Sequence, residues 1–110
     1  MKQYVIDELR PADYQKIKAY LDDHLETGAM EGIYWMPLEE NLLSPTQADH
    51  SQCQPFYIAL ELTFEQLSVE FLIRTQQRVR CDCIANADEI QRNWIIRSID
   101  DIFEKLQIHT

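Results

Sequence analysis

The chain has 110 residues, 45% apolar and 26% charged, which suits one folded α+β domain spanning residues 1–110 with a real core and excludes a disordered tail. Ten Lys and Arg stand against 19 Asp and Glu, a net charge of −9, so neither nucleic acid nor an anionic membrane surface is an expected partner. No apolar run approaches the ~20 residues of a membrane helix. Met1 to Asp7 lacks the pattern of an export signal, and three cysteines, an odd number, point to thiols or metal ligands in a reducing cytoplasm.

Gln3 to Leu9 begins with Tyr4, Val5 and Ile6, a short strand by propensity. Pro11 suits the first turn of a helix, and Tyr14, Ile17, Leu21 and Leu25 recur at helical spacing to about Glu26. Gly28 is placed to end that helix. The acids Asp22, Asp23 and Glu26 lie in its last turns, where the macrodipole prefers cations. Gly32 to Pro37 reads as a strand stopped by its proline, with Ile33 and Trp35 inward and Tyr34 and Met36 outward. Leu38 to Pro55 is a long connection. Within it Ser44-Pro45 resembles an N-cap followed by proline at the first helical position, giving a turn or two of helix to about Ser51.

Phe56 to Arg74 carries two alternating runs. A turn at Glu65-Gln66 pairs Phe64 with Leu67, Leu62 with Val69, Leu60 with Phe71 and Ile58 with Ile73, which puts every apolar side chain on one face. On the other face the same register sets Tyr57 against Arg74 and Glu61 against Glu70. A helical reading through Leu60, Phe64, Leu67 and Phe71 competes with it. Arg78 to Ala85 follows as a strand with Val79, Cys81, Cys83 and Ala85 in phase. Asn86 to Ile108 is a long helix with acids at its start and an apolar stripe of Ile95, Ile99, Ile102, Phe103 and Leu106. The order β-α-β-β-β-β-α predicts an antiparallel meander with both helices on one face.

Two groups of residues carry functional expectations. His50-x-x-Cys53 and Cys81-x-Cys83 supply the donors of a Cys3His zinc site. In a regular strand Cys81 and Cys83 lie ~6.5–7 Å apart, too far for one ion, so a bulge or strand end is needed. Against this, both cysteines suit core positions, and no cofactor is then expected. A Cys53–His50 nucleophilic pair lacks a third orienting group, so catalysis is not expected. His24 sits among acids at a solvated helix end, and His109 lies near the chain end.

The second group is a surface. Tyr34, Met36 and Tyr57, with Arg74, Arg78 and Arg80, are candidates for a partner-binding face, since aromatics, Met and Arg are enriched in interfaces. No Lys or Arg occurs between Ala19 and Ile73, a stretch holding ten acids. The leading expectation is therefore a small acidic cytoplasmic binding or adaptor module without catalysis. It would pair with a second copy as a homodimer or take up a basic or amphipathic protein segment. The zinc site is the alternative, and a small enzyme the third.

Overall fold

The computed structural model describes residues 3–27, 30–75 and 83–108. Strand β1 is Gln3–Ile6, helix α1 Pro11–His24, and strands β2 and β3 are Glu26–Thr27 and Ile33–Pro37. A 3-10 turn at Glu40–Leu42, the short helix α2 at Pro45–Asp49 and a second 3-10 turn at Ser51–Cys53 fill the long connection. Strands β4 Phe56–Leu62, β5 Leu67–Glu70, β6 Leu72–Thr75 and β7 Ala85–Asn86 and helix α3 Glu89–Lys105 complete the chain. The architecture is α+β with an antiparallel sheet, as the sequence predicts. No helix among the described residues is long and apolar enough to cross a membrane.

The strands lie in the order β1-β5-β4-β3-β2. The apolar alternation of β4 sets its polarity. Phe56, Ile58, Leu60 and Leu62 are buried and join Leu67 and Val69 of β5 in one core. Ile17 and Leu21 of α1, and Ile95, Ile99 and Phe103 of α3, belong to the same cluster. Both helices therefore cover one face, as expected for a sheet with one apolar side.

Strand β3 is turned over relative to the sequence expectation. Tyr34 and Met36 pair with Leu60 and Ile58 and are buried, at 3% and 6% exposure, whereas Ile33 and Trp35 face outward. Tyr34 and Met36 are thus core residues and leave the candidate surface. The reason is polar as well as apolar. The Tyr34 hydroxyl donates to Asp22 Oδ1 at 2.5 Å, and Lys18 Nζ donates to Asp22 Oδ2 at 2.8 Å. The Lys18 ammonium, then the tyrosine, hold the Asp22 carboxyl below the usual carboxylate range. The acid at the negative end of α1 thereby fastens the helix to β3.

The hairpin register also differs. The tip is Phe64-Glu65, between Thr63, whose N–H donates to the Gln66 carbonyl at 2.9 Å, and Gln66. Leu62 then faces Leu67, and Leu60 faces Val69. Phe64 leaves the sheet and sets its ring 5.2 Å from that of Tyr14 on α1, which accounts for its 58% exposure beyond the core. Glu61 consequently faces Ser68 rather than Glu70. Farther along, Tyr57 faces Arg74 as the sequence predicts. Three steps along β4, from Leu60 to Tyr57, therefore match five along its partner, from Val69 to Arg74.

The surplus is a bulge at Phe71-Leu72, which splits the predicted single strand into β5 and β6. It turns the chain so that β6 gains a second neighbour: Leu72 and Ile73 pair with Asn86 and Ala85 of β7, and the Ala87 N–H donates to the Phe71 carbonyl at 2.6 Å. Most of the predicted strand Arg78 to Ala85 lies outside the described residues, as do the predicted roles of Gly28, Val79 and His109. Cys83 sits in a turn just before β7.

Helix α3 starts at a capping box, Asp88 accepting from the Gln91 N–H and Gln91 from the Asp88 N–H. It ends with the Ile108 N–H on the Phe103 carbonyl and the Gln107 N–H on Glu104, a Schellman closure with Gln107 at φ 59°. That turn returns Ile108 to the core.

Candidate metal centre

Ser44-Pro45-Thr46-Gln47 builds the first wall of the site. The Ser44 hydroxyl accepts from the Gln47 N–H at 3.2 Å, and Gln47 Oε1 accepts from the Ser44 N–H at 3.0 Å. Proline at the first helical position costs no hydrogen bond, because that N–H has no helical partner anyway. The helix is then only five residues long. The His50 N–H closes it on the Gln47 carbonyl, and the His50 carbonyl opens the next 3-10 turn by accepting from the Cys53 N–H at 2.9 Å. With three residues per 3-10 turn, positions i and i+3 eclipse one another. His50 and Cys53 are therefore set on one side of the turn by their spacing.

The third donor arrives from the segment that leads into β7, beside β6. The bulge at Phe71-Leu72 allows β6 to pair with β7, and the turn leading into β7 carries Cys83 back to Cys53 and His50. The imidazole nitrogen and the two sulfurs all lie within 4.8 Å of one another. Cys53 and Cys83 are buried, at 3% and 1% exposure, and His50 is half-buried. Of the four ligands expected from sequence, three meet. Cys81, and with it Arg78 and Arg80 of the candidate surface, lies outside the described residues.

This donor set fits a borderline-soft cation. Thiolate sulfur with imidazole nitrogen selects zinc over hard ions such as calcium or magnesium, which take oxygen. In a tetrahedral zinc site with Zn–S near ~2.3 Å, neighbouring sulfurs lie about 3.8 Å apart. With all separations within 4.8 Å, a contraction of at most about one ångström brings two sulfurs to that spacing. Cys83 itself stands in a turn rather than in a regular strand, so its direction is not tied to a strand pleat.

Three further residues shape the site without supplying ligands, and sequence reasoning passed over their roles. Thr75 Oγ1 at the end of β6 donates to the Cys53 carbonyl at 2.5 Å. Gln47 Nε2 donates to the Cys83 carbonyl at 3.1 Å. Gln91 Nε2 donates to Gln47 Oε1 and to the Leu42 carbonyl, both at 2.9 Å. Gln47 and Gln91 are nearly fully buried. The signal for the two glutamines was legible: Ser44-x-x-Gln47 and Asp88-x-x-Gln91 are both capping-box patterns.

The other candidate group of residues is partly brought together. Tyr57 and Arg74 lie on the open face, with Trp35 in the place of Tyr34 and Met36. The Trp35 and Tyr57 rings meet edge to face at 6.2 Å. Arg74 Nη2 is 3.0 Å from Glu70 Oε2. A cavity of about 280 Å³ opens there, bordered by Ile33, Trp35, Ala59, Glu61, Glu70 and Arg74.

The chain matches no family model and no curated protein, and its structure matches no solved structure. The functional reading therefore rests on the geometry of these two places.

Proposed function

We propose that this chain is a zinc-binding protein in which His50, Cys53 and Cys83 hold the ion for a structural purpose. One observation carries the reading: three soft or borderline donor atoms from two separate stretches of chain converge within 4.8 Å. Structural zinc sites are closed and buried, whereas catalytic ones keep a position open to substrate, and the burial of both cysteines favours the former. The ion would tie the turn after α2 to the turn before β7, two segments with little regular structure of their own. Cys81, two positions before Cys83, is the fourth donor that the sequence offers. Native mass spectrometry of tag-free protein purified without chelator tests the reading. A mass excess of one zinc per chain, lost on acidification, is the expected result. A chain that carries no zinc and takes none up on titration sinks it.

A second reading attaches to the open sheet face, and we propose that it receives a lysine- or arginine-bearing segment of a partner protein. Glu26 faces Trp35 across β2 and β3, and Glu61 faces Ile33 across β3 and β4, so both acids share the face of the Trp35 ring. Neither makes an ion pair among the described residues, while Arg74 is bound to Glu70. An aromatic ring beside uncompensated carboxylates suits a cation, worth about 0.5–2 kcal/mol from ring and charge together. A second copy brings the same three acids and one arginine against themselves, a mostly repulsive pairing. Trp35→Ala should weaken binding of a labelled oligo-arginine peptide at least about twofold in fluorescence anisotropy. An affinity unchanged by the substitution, or a stable dimer that excludes the peptide, would count against this occupant.

A further inference from the structure

We infer that Gln47 is a positioning residue of the zinc centre, holding Cys83 by its main-chain carbonyl, an inference that rests on the zinc reading above. A capping box asks only for an acceptor at the third helical position, and glutamate meets that need as well as glutamine does. This chain has 19 acidic residues, yet it places an amide here and another at the equivalent position of α3. The difference between the two side chains is the N–H donor. At Gln47 that donor goes to the Cys83 carbonyl, 36 positions away in sequence.

The rest of the Gln47 side chain is also committed. Its oxygen accepts from the Ser44 N–H and from Gln91 Nε2. Gln91 in turn spends its amide protons on Gln47 and on the Leu42 carbonyl, and its oxygen on the Asp88 N–H. The two capping boxes meet back to back in the core, and the resulting line of amides runs from the start of α3 through α2 to Cys83. Two carboxylates in these positions would repel each other and leave the Cys83 and Leu42 carbonyls without these donors, so two amides are the arrangement that satisfies the whole line.

The mechanical consequence concerns the sulfur. Cys83 lies in a turn, and Gln47 Nε2 holds its carbonyl at 3.1 Å. Holding that carbonyl restrains the direction of the Cα–Cβ bond and hence the arc on which Sγ lies. Thr75 performs the same service for Cys53 through that residue's carbonyl. Groups that orient metal ligands without touching the ion typically change affinity 10–100-fold when removed.

The test sets Gln47→Met against Ser44→Ala. Both break the α2 capping box, but only Gln47→Met removes the bond to Cys83. Zinc affinity is read by competition with a chromophoric chelator, and the site geometry by the visible absorption of the cobalt(II) form. We expect Gln47→Met to weaken zinc 10–100-fold and to shift the cobalt spectrum, with Ser44→Ala within threefold of wild type and spectrally unchanged. Equal losses in the two variants, or a Gln47→Met variant within threefold of wild type, overturn the positioning role while leaving the zinc site intact. A wild-type chain that binds no zinc overturns the zinc reading, and this inference with it. If Gln47→Met does not fold, Gln47→Glu at pH 8 takes its place. That variant keeps the acceptors for Ser44 and Gln91 and sets a carboxylate oxygen in place of the donor to the Cys83 carbonyl, and the same thresholds apply.

Discussion

Cys83→Ser should lose bound zinc and about 10 °C of melting temperature in one step. A ligand that binds only the folded state stabilises it by RT ln(1 + [L]/Kd), about 2.7 kcal/mol at a hundredfold excess over Kd. For a domain of this size each kcal/mol moves the midpoint by roughly 4 °C or more. The substitution alone does not separate this from a packing effect, because a serine hydroxyl at a position 1% exposed costs about 1 kcal/mol or more in any core. A chelator makes the separation. Under the zinc reading, chelated wild type melts within a few degrees of Cys83→Ser, and adding chelator to the variant changes nothing further. If Cys83 is simply a small core residue, the variant still melts low while wild type ignores the chelator. That second pattern would retire the metal centre and return both cysteines to the hydrophobic cluster.

What could be read from the sequence, and what could not, divides along physical lines. Helix α1 was legible because Pro11 marks its start and Ile17 and Leu21 repeat on one face. Helix α3 was legible from its stripe of Ile95, Ile99 and Phe103, but it runs from Glu89 to Lys105 rather than from Asn86 to Ile108, because Asp88 caps it and Asn86 pairs in β7. Parity within β4 was legible too, since its alternation leaves one solution. Register was not, because a shift of two residues preserves parity and every apolar residue stays on its face. The choice between the two registers was made by Phe64 packing on Tyr14, a contact between residues fifty positions apart that no local pattern encodes.

Strand β3 failed for a related reason. Ile33, Trp35, Tyr34 and Met36 are all acceptable inside, and the tie was broken by Asp22 offering an acceptor to the Tyr34 hydroxyl. The acids at the end of α1, a conflict with the macrodipole on the sequence alone, include the one that makes this bond. The site was half legible. The i, i+3 spacing of His50 and Cys53 is a local property of a 3-10 turn. The arrival of Cys83 depends on the bulge at Phe71-Leu72, which the alternation of Leu67, Val69, Phe71 and Ile73 conceals.

Gly32→Ala should be the most damaging single-methyl change in the sheet, at about 2–4 kcal/mol, read as the shift in urea midpoint. Gly32 has φ +86°, and a Cβ built on it stands 2.8 Å from the Leu62 carbonyl oxygen. The left-handed backbone costs a side-chain-bearing residue about 1–2 kcal/mol. The short contact adds to that, because the atom met is backbone and cannot swing aside. It is also anchored: the Leu62 N–H donates to the Gly32 carbonyl at 2.8 Å, so retreat of Leu62 opens a bond that joins the β4 end to the start of β3. Breaking it adds about 1 kcal/mol. Gly32→Asn distinguishes the two contributions, since asparagine tolerates positive φ far better than alanine but carries the same Cβ. If Asn restores most of the stability, backbone conformation was the cost. If it is as destabilised as Ala, the Leu62 carbonyl decides, and the approach of β3 to β4 is what the glycine is there to permit. A loss under about 0.5 kcal/mol for Gly32→Ala would mean that the β3–β4 junction lies more openly than this geometry holds. The facing of β3, with Trp35 outward, would then rest on the Tyr34–Asp22 bond without help from this junction.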